Sequence, residues 1–393
     1  MVSTFVRVIG NTFLVLCALD GLLTILVGWV SSGLLTGAQG ALSFLVVLLS
    51  CVVTAIMVFS DRLPLSAFGP PIVVVAWITL GAMPLPLWVG LKTLMILSGG
   101  LQILATAASV ARIGQLDGAP LLKAGGIVEH AQPLRPIWMI ARFFGVVFGT
   151  PMLIAAYAVG SATYAVSYAT KGFVSLGGQG VYVAHRAYQK DDAQIHLIGM
   201  IHIGDEDAYP RLLEGIPEEN AVVLAEGVGD KDGLLTGEDG SGYSYGKVAE
   251  RLNLSEQGAI ASLTGIPVQN ADLDVSAFSE ETLHIIQQIG QVLDAEDWPA
   301  FLAAFQEYST SVGDDPETLE RLMDDILTLR NGHLIEAIDD ALETHRVLVL
   351  PWGAYHLPEI EQAVLDRGFT ETHEDNVLLI RYASLTRAAK AAD

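Results

Sequence analysis

The stretch IHLIGMIHIGDEDAYPRLL, residues 195–213, begins as an apolar run and ends in an acid-rich turn. The run predicts a buried β-strand. This strand brings His202 to its carboxyl end, three residues after Gly199. A second stretch, RVLVLPWGAYHLPEIEQAVLDRGF at 346–369, repeats the Gly-x-x-His spacing and ends it at His356. The repetition indicates that the two histidines share a role.

Strands and helices alternate on both sides of these motifs. Short apolar strands are predicted at 181–188, 194–202, 221–226, 347–351 and 377–382. Helices are predicted at 207–216, 244–263, 280–308, 316–343 and 358–367. The alternation predicts an α/β or α+β domain with a mixed sheet flanked by helices. In such sheets ligands bind beyond the carboxyl ends of the strands, so we expect His202, Glu226 and His356 to converge on one pocket.

The first part of the chain is much more apolar than the rest. A membrane span needs about 20 mostly apolar residues. Five spans are predicted, at 11–30, 41–59, 71–90, about 93–111 and about 143–165. The sequence therefore predicts a polytopic α-helical membrane region over 1–170, in contact with the lipid bilayer, and the α/β domain over 176–393.

The basic residues near the spans indicate a topology. With five spans, six of them fall on the inner side: Arg7, Arg62, Arg112, Lys123, Arg135 and Arg142. The positive-inside rule then places the C-terminal domain outside the cytoplasm, in what we expect to be a bacterial inner membrane. One miscounted span would invert this topology. Asp20 lies within a span and leaves open a transporter with a regulatory domain.

Charge and cysteine usage exclude other classes of function. Residues 172–393 hold 13 of the 21 Lys and Arg but 40 of the 44 Asp and Glu. So acidic a domain would repel nucleic acid. The only cysteines, Cys17 and Cys51, lie in apolar segments. A metal site in the acidic half must therefore use His, Asp or Glu.

Two histidines and a carboxylate from separate strand ends form a ligand set for a divalent metal that activates water. We expect His202, Glu226 and His356 to be these ligands. Gly199 and Gly353 would let backbone or ligand approach closely because they lack a Cβ atom. The alternative is that each histidine merely binds a backbone carbonyl.

Other polar residues are expected to support this site. His196 shares a strand face with His202 if the strand is regular. Arg330 either pairs with a surface carboxylate or faces the pocket, where it would orient Glu226 or stabilise negative charge. Asp272 and Asp274 follow a short strand and either reach the pocket or cap the next helix.

At these residues the sequence resembles the TraB/PrgY/GumN family, which includes the TIKI metalloproteases. The similar segments span about 195–369 and read HLIGMIHIGD, VVLAEGV, LRNGHLIEAI and LVLPWGAYHLPEIEQAVLDRGF. The resemblance implies a fold shared with erythromycin-esterase-like and ChaN-like proteins. It also implies that His202, Glu226 and His356 are metal ligands or close neighbours, with Arg330 and Asn331 as a polar pair near the site.

Two positions depart from the family pattern. Met200 stands where threonine is common, and Glu359 stands where a glycine often follows the second motif. Glu359 adds a carboxylate near the expected pocket. It is therefore a candidate general base, as is Glu226 if that residue is not a ligand.

These features predict a membrane-anchored, metal-dependent hydrolase that cleaves a peptide or protein substrate. Ligands without sulfur leave manganese, cobalt, zinc and iron as candidate ions. The ion would activate water, and Arg330 would stabilise the oxyanion. The alternative function is a non-catalytic membrane regulator that binds or sequesters a peptide signal.

Overall fold

The computed structural model describes residues 2–30, 32–81, 91–235, 245–257, 265–295, 298–312 and 316–385. The chain divides into two compact units, Met1–Ala165 and Val166–Asp393. Each unit has its own hydrophobic core.

Long apolar helices make up the first unit. They are α1 Val2–Trp29, α2 Gly33–Phe59, α3 Leu65–Thr79, α4 Leu91–Asp117, α5 Ile127–His130, α6 Pro136–Phe144 and α7 Thr150–Ala169, with a π-helical segment, Gly145–Gly149, between α6 and α7. Within the described part of the chain, four helices are long and apolar enough to cross a membrane: Val2–Trp29, Gly33–Phe59, Lys92–Asp117 and Pro136–Ala169. These helices indicate a membrane protein.

The four helices contain four of the five predicted spans. The remaining prediction, 71–90, overlaps α3, which has 15 residues and is shorter than a usual span. Residues 82–90 lie outside the described residues. The count of five spans therefore stays a prediction.

Asp20 lies in a polar cluster between three helices of the first unit. Its Oδ1 accepts a hydrogen bond from Ser43 Oγ on α2 at 2.6 Å. Its Oδ2 accepts one from Gln102 Nε2 on α4 at 2.9 Å. Hydrogen bonds between spans hold helices together. The carboxyl group of Asp20 thus joins α1, α2 and α4.

A seven-stranded mixed sheet forms the centre of the second unit. Its strands are β1 Val174–Leu176, β2 Gly180–Lys190, β3 Ala193–Met200, β5 Ala221–Ala225, β7 Val268–Asn270, β8 Val347–Gly353 and β9 Thr370–Arg381. They lie in the order β1-β2-β3-β8-β5-β7, with β9 also paired to β2. Strands β3, β8, β5 and β7 are mutually parallel, whereas β2 runs antiparallel to β3. The predicted α/β domain with a mixed sheet is therefore confirmed.

Helices flank this sheet, and two further short strands, β4 Ile203–Gly204 and β6 Ser255–Glu256, pair with each other. The helices are α8 Ala208–Leu212, α9 Gly246–Arg251, α10 Glu280–Asp294, α11 Trp298–Val312, α12 Pro316–Met323, α13 Arg330–Thr344 and α14 Leu357–Asp366. A π-helical segment, Asp324–Leu329, joins α12 to α13. Parallel strands are usually covered on both faces, and the first six residues of β8 are all buried.

Several boundaries differ from those predicted. The segment predicted as one helix at 280–308 forms α10 and α11, and the residues 296–297 between them are not described. The helix predicted at 244–263 ends at Arg251, and Asn253 follows in the left-handed region with φ 54°. Strand β9 begins seven residues before the predicted position 377, because its first half pairs with β2 while its polar side chains face solvent.

Candidate active site

A cavity of about 1060 Å³ lies where β3, β5 and β8 end. Five of the predicted site residues line it: His202, Glu226, Arg330, Gly353 and His356. They come from four separate segments of the chain. The parallel strands bring three of these segments to the same edge of the sheet, and the start of α13 contributes the fourth.

The second Gly-x-x-His motif turns directly from a strand into a helix. Strand β8 ends at Gly353, and His356 occupies the N-cap position of α14. The amide of Gly353 donates a 2.6 Å hydrogen bond to Glu226 Oε2. A Cβ atom at Gly353 would lie 3.4 Å from the same oxygen. The turn therefore places His356 and Glu226 side by side, with His356 Nε2 3.7 Å from Glu226 Oε1.

The hydrogen bonds of His356 define its tautomer. Its Nδ1 lies 2.7 Å from Asn331 Oδ1. The amide of Asn331 is oriented by Glu359, whose Oε2 accepts a 2.6 Å bond from Asn331 Nδ2. Because an amide oxygen only accepts hydrogen bonds, Nδ1 carries the proton and Nε2 keeps a lone pair.

His356 is neutral at physiological pH. The side chain is 4% exposed, and burial lowers its pKa, as does the neighbouring Arg330 guanidinium, to about 4. Desolvation and a nearby positive charge both disfavour the imidazolium form. The histidine is therefore present as a fixed neutral imidazole.

Arg330 lies at the centre of the site. Its Nε and Nη2 donate to the two carboxylate oxygens of Asp272 at 2.9 and 2.6 Å. Its Nη2 also donates to Glu226 Oε1 at 2.8 Å, and its Nη1 lies 3.2 Å from His356 Nε2. Burial by itself would lower the pKa of Arg330, but the bonds and charges of Asp272 and Glu226 raise it above its ordinary value. The guanidinium therefore remains charged although it is buried.

The two aspartates that follow β7 have different roles. The side chain of Asp272 is fully buried beneath Arg330 and also accepts a 3.0 Å bond from the amide of Gly227. Asp274 caps the 3-10 helix Val275–Ala277 by accepting from the amide of Ser276. The sequence left open whether these aspartates reach the pocket or cap the next helix. Asp272 contacts the site, and Asp274 caps the helix.

The first Gly-x-x-His motif leads through a bend at His202 into a second short strand. Strand β3 ends at Met200, and β4 follows at Ile203. His202 is exposed on the cavity wall, where its ring stacks on Tyr245 with centroids 4.4 Å apart. No hydrogen bond joins the His202 side chain to Glu226 or His356 in the described structure. The two histidines share the cavity without sharing a partner.

Gly199 and His196 lie away from this cavity. A Cβ atom at Gly199 would approach the backbone oxygen of Phe173 to 2.8 Å, so this glycine permits close packing of the sheet. His196 forms a 2.9 Å hydrogen bond with His185 in a separate depression of about 430 Å³. That depression also contains His373. The structure therefore does not bring His196 to the predicted site.

Arg330 binds two of the three predicted metal ligands. His356 Nε2 and Glu226 Oε1 are close enough for one ion to bridge them, but both atoms already bind Arg330. A divalent ion between these two atoms would lie next to the positive charge of the Arg330 guanidinium. Among the described residues, no group of three His, Cys, Asp or Glu side chains is placed to hold a metal ion. The ligand set of His202, Glu226 and His356 stays a prediction.

Two aromatic residues of the site were not anticipated from the sequence. Trp352 is fully buried, and its ring meets the His356 ring edge-on with centroids 5.4 Å apart. It also lies 5.5 Å from the Arg330 guanidinium carbon, close enough for a cation–π contact. Tyr245, which stacks on His202, lies at the start of the helix predicted at 244–263, where no motif distinguishes it. Trp352 does stand directly before the motif glycine, which is the signal that would have identified it.

The site thus combines a neutral imidazole, a buried guanidinium and a carboxylate that faces a cavity. Such a set can bind a carbonyl group and transfer a proton beside it. In comparisons with known proteins, no family model, no curated protein and no solved structure matches this chain. The resemblance to the TraB/PrgY/GumN family therefore stays a prediction.

Proposed function

We propose that the second unit is a membrane-anchored hydrolase that cleaves a peptide bond in this cavity. The observation that carries the proposal is the position of Arg330. Two carboxylates and a neutral histidine hold the guanidinium at the cavity wall. Among the described residues these bonds use four of its five N–H groups, which leaves one N–H on Nη1 for a ligand.

In the proposed mechanism Glu226 acts as the general base. Water in the cavity gives a proton to Glu226 and its oxygen attacks the carbonyl carbon, so that negative charge develops on the carbonyl oxygen. The remaining N–H of Arg330 stabilises this charge. The intermediate then breaks its C–N bond as the proton passes from Glu226 to the leaving amine, giving an acid and an amine.

His356 acts in this scheme as a positioning residue. Its Nε2 accepts from Arg330, and Asn331 holds the ring in place. Glu359 orients Asn331 and does not line the cavity. This geometry favours Glu226 over Glu359 as the base.

The family membership, the ChaN-like fold and the extracytoplasmic location in a bacterial inner membrane belong to the same proposal. The location depends on five spans, because an even number would place the second unit on the opposite side. A divalent ion, with manganese, cobalt, zinc or iron as candidates, remains a separate proposal. No step above requires it.

A peptide-library digestion with the full chain in detergent tests the hydrolase. Cleavage by the wild type, with at least a hundredfold loss in Glu226→Gln and in Arg330→Lys, would support the roles assigned here. Arg346→Ala is the control, because Arg346 forms an exposed ion pair with Asp192 far from the chemistry proposed. Absence of wild-type cleavage, with and without added manganese, cobalt, zinc or iron, would sink the proposal.

Elemental analysis of the same samples tests the ion. About one divalent ion per chain, lost in both His202→Ala and His356→Ala, would support the predicted ligand set. Wild-type cleavage that survives a chelator would show that the protein side chains suffice.

The second candidate function is a regulator that binds a peptide without cleaving it. One observation favours it: both oxygens of Glu226 and both ring nitrogens of His356 already have partners within the protein. Saturable peptide binding without turnover would select this function.

A further inference from the structure

The wall of the cavity beside the charged residues is apolar. It is formed by Ile286 and Ile289 of α10 and by Ile326 and Leu327 of the π-helical segment. These four side chains are partly exposed, and each pair follows buried residues of its own element, Ile285 and Gln288 in α10 and Asp325 in the π-helical segment. Two elements therefore contribute apolar side chains to the cavity that Arg330 also lines.

A buried carboxylate fastens the two elements of this wall to each other. Asp325, within the π-helical segment, accepts hydrogen bonds from the amide and hydroxyl of Ser279 at 2.9 and 2.7 Å. Ser279 is the N-cap of α10 and also accepts from the amide of Thr282. Asp325 is 8% exposed. The apolar wall is thus supported from behind by a specific polar contact.

The π-helical segment links the apolar wall to the charged site. It ends at Leu329, and Arg330 begins α13 immediately afterwards. Single π turns within helices occur frequently at functional sites. Here the same irregular turn presents Ile326 and Leu327 to the cavity and brings Arg330 to its partners.

We infer that this wall is a specificity subsite for an apolar group next to the scissile carbonyl, such as a leucine or phenylalanine side chain of a peptide. The inference rests on the proposed function, since it names the substrate class of that site. Cavities that bind small ligands combine apolar walls with a few placed polar groups. One methylene group more or less in an apolar pocket distinguishes substrates by about 10–200-fold.

The subsite can be tested without catalysis by placing a cysteine on the wall and measuring whether a bound peptide protects it from maleimide labelling. The two natural cysteines, Cys17 and Cys51, lie in helices of the first unit and are replaced by alanine. Ile289→Cys then places a single thiol on the wall. Gln291→Cys places one on the exposed part of the same helix as the matched control. Both cysteine variants also carry Glu226→Gln, which removes the proposed general base, so that the peptides used as probes are not cleaved.

The probes are the soluble peptides N-acetyl-leucyl-leucine amide and N-acetyl-asparaginyl-asparagine amide. We expect the leucine peptide to slow maleimide labelling of Ile289→Cys at a concentration at least about tenfold lower than the asparagine peptide. Neither peptide should protect Gln291→Cys. Equal protection by both peptides, or protection at both positions, would overturn the subsite. Ile286→Cys repeats the test if Ile289→Cys does not fold.

The outcomes separate this inference from the hydrolase proposal. Selective protection without any wild-type cleavage would retain the apolar subsite in a binding protein. Cleavage without preference for apolar side chains, together with equal protection, would retain the hydrolase and reject the subsite.

Discussion

The two Gly-x-x-His motifs have the same spacing and follow neighbouring parallel strands, but their histidines have different environments. His356 is buried, and both of its nitrogens have partners. His202 is exposed and contacts the ring of Tyr245. The amide of Ala354 donates to the backbone oxygen of Met200, so the two motifs lie side by side.

The difference follows from how the chain continues after each strand. After Gly353 a helix begins within four residues, and its first turn carries His356 over the end of the sheet. After Gly199 the chain bends at His202 and enters the short strand β4, which pairs with β6. A shared motif therefore predicts a shared location, whereas the next element of structure decides what each side chain contacts.

Removal of Arg330 is expected to have the largest effect. Arg330→Ala leaves Asp272 and Glu226 buried without their cation, which costs about 3–5 kcal/mol. The measurement is amide hydrogen exchange in β8 of the full chain. Arg346→Ala removes an exposed pair instead and should cost less than about 1 kcal/mol. Equal losses in the two variants would show that the Arg330 network is not a structural centre.

Removal of each histidine compares the motifs directly. His356→Ala should destabilise β8 by about 2–4 kcal/mol, because it opens a cavity against Trp352 and leaves Asn331 without its partner. His202→Ala should change stability by less than about 0.5 kcal/mol, as is usual for exposed positions. Hydrogen exchange again provides the measurement. A larger loss in His202→Ala would reverse the comparison.

Acid should destabilise the second unit through its buried histidines. Burial, together with neighbouring positive groups, lowers the pKa of His196 and of His356 to about 4, compared with about 6.5 in an unfolded chain. Between these values the unfolded chain binds protons that the native state does not. The contribution of each buried neutral histidine to the free energy of unfolding is therefore complete above about pH 6.5 and is lost as the pH falls towards 4. The loss is about 2 kcal/mol per histidine between pH 7 and 5.

Denaturation of the full chain at pH 7, 6 and 5 measures this loss. His196→Gln should remove one histidine's share of the pH dependence and leave the share of His356. An unchanged slope would mean that His196 is accessible to protons in the native state.

Alanine substitution of the two motif glycines should give the smallest difference in stability. A Cβ atom at Gly199 would lie 2.8 Å from a backbone oxygen, which cannot move aside easily. Gly199→Ala is therefore expected to cost about 1–3 kcal/mol. Gly353→Ala meets its nearest atoms at 3.4 Å and should cost less than about 1 kcal/mol. Thermal unfolding monitored in the second unit would check the order, and a greater cost at Gly353 would contradict it.

Periodicity and composition were sufficient for the coarse fold. The long apolar runs predicted membrane helices, since a span leaves an unbroken signal, and the short apolar runs predicted β2, β3, β5 and β8. The first half of β9 was missed because its polar residues face solvent. The π-helical turn before Arg330 was missed because a single inserted residue barely disturbs a helical pattern.

The sequence already indicated that His202, Glu226 and His356 meet in one pocket, because strand ends and local motifs carry that information, but it left the position of Arg330 open between this pocket and a surface carboxylate. The partners of these residues were decided by tertiary structure. Asp272 and Arg330 are 58 positions apart, and only the folded sheet and the turn into α13 bring them to 2.6 Å. Contacts between residues that are far apart in the sequence determine which carboxylates neutralise the charge of Arg330. For that reason two of the three donors that the sequence suggests for a metal ion, Glu226 and His356, bind a guanidinium in the folded protein.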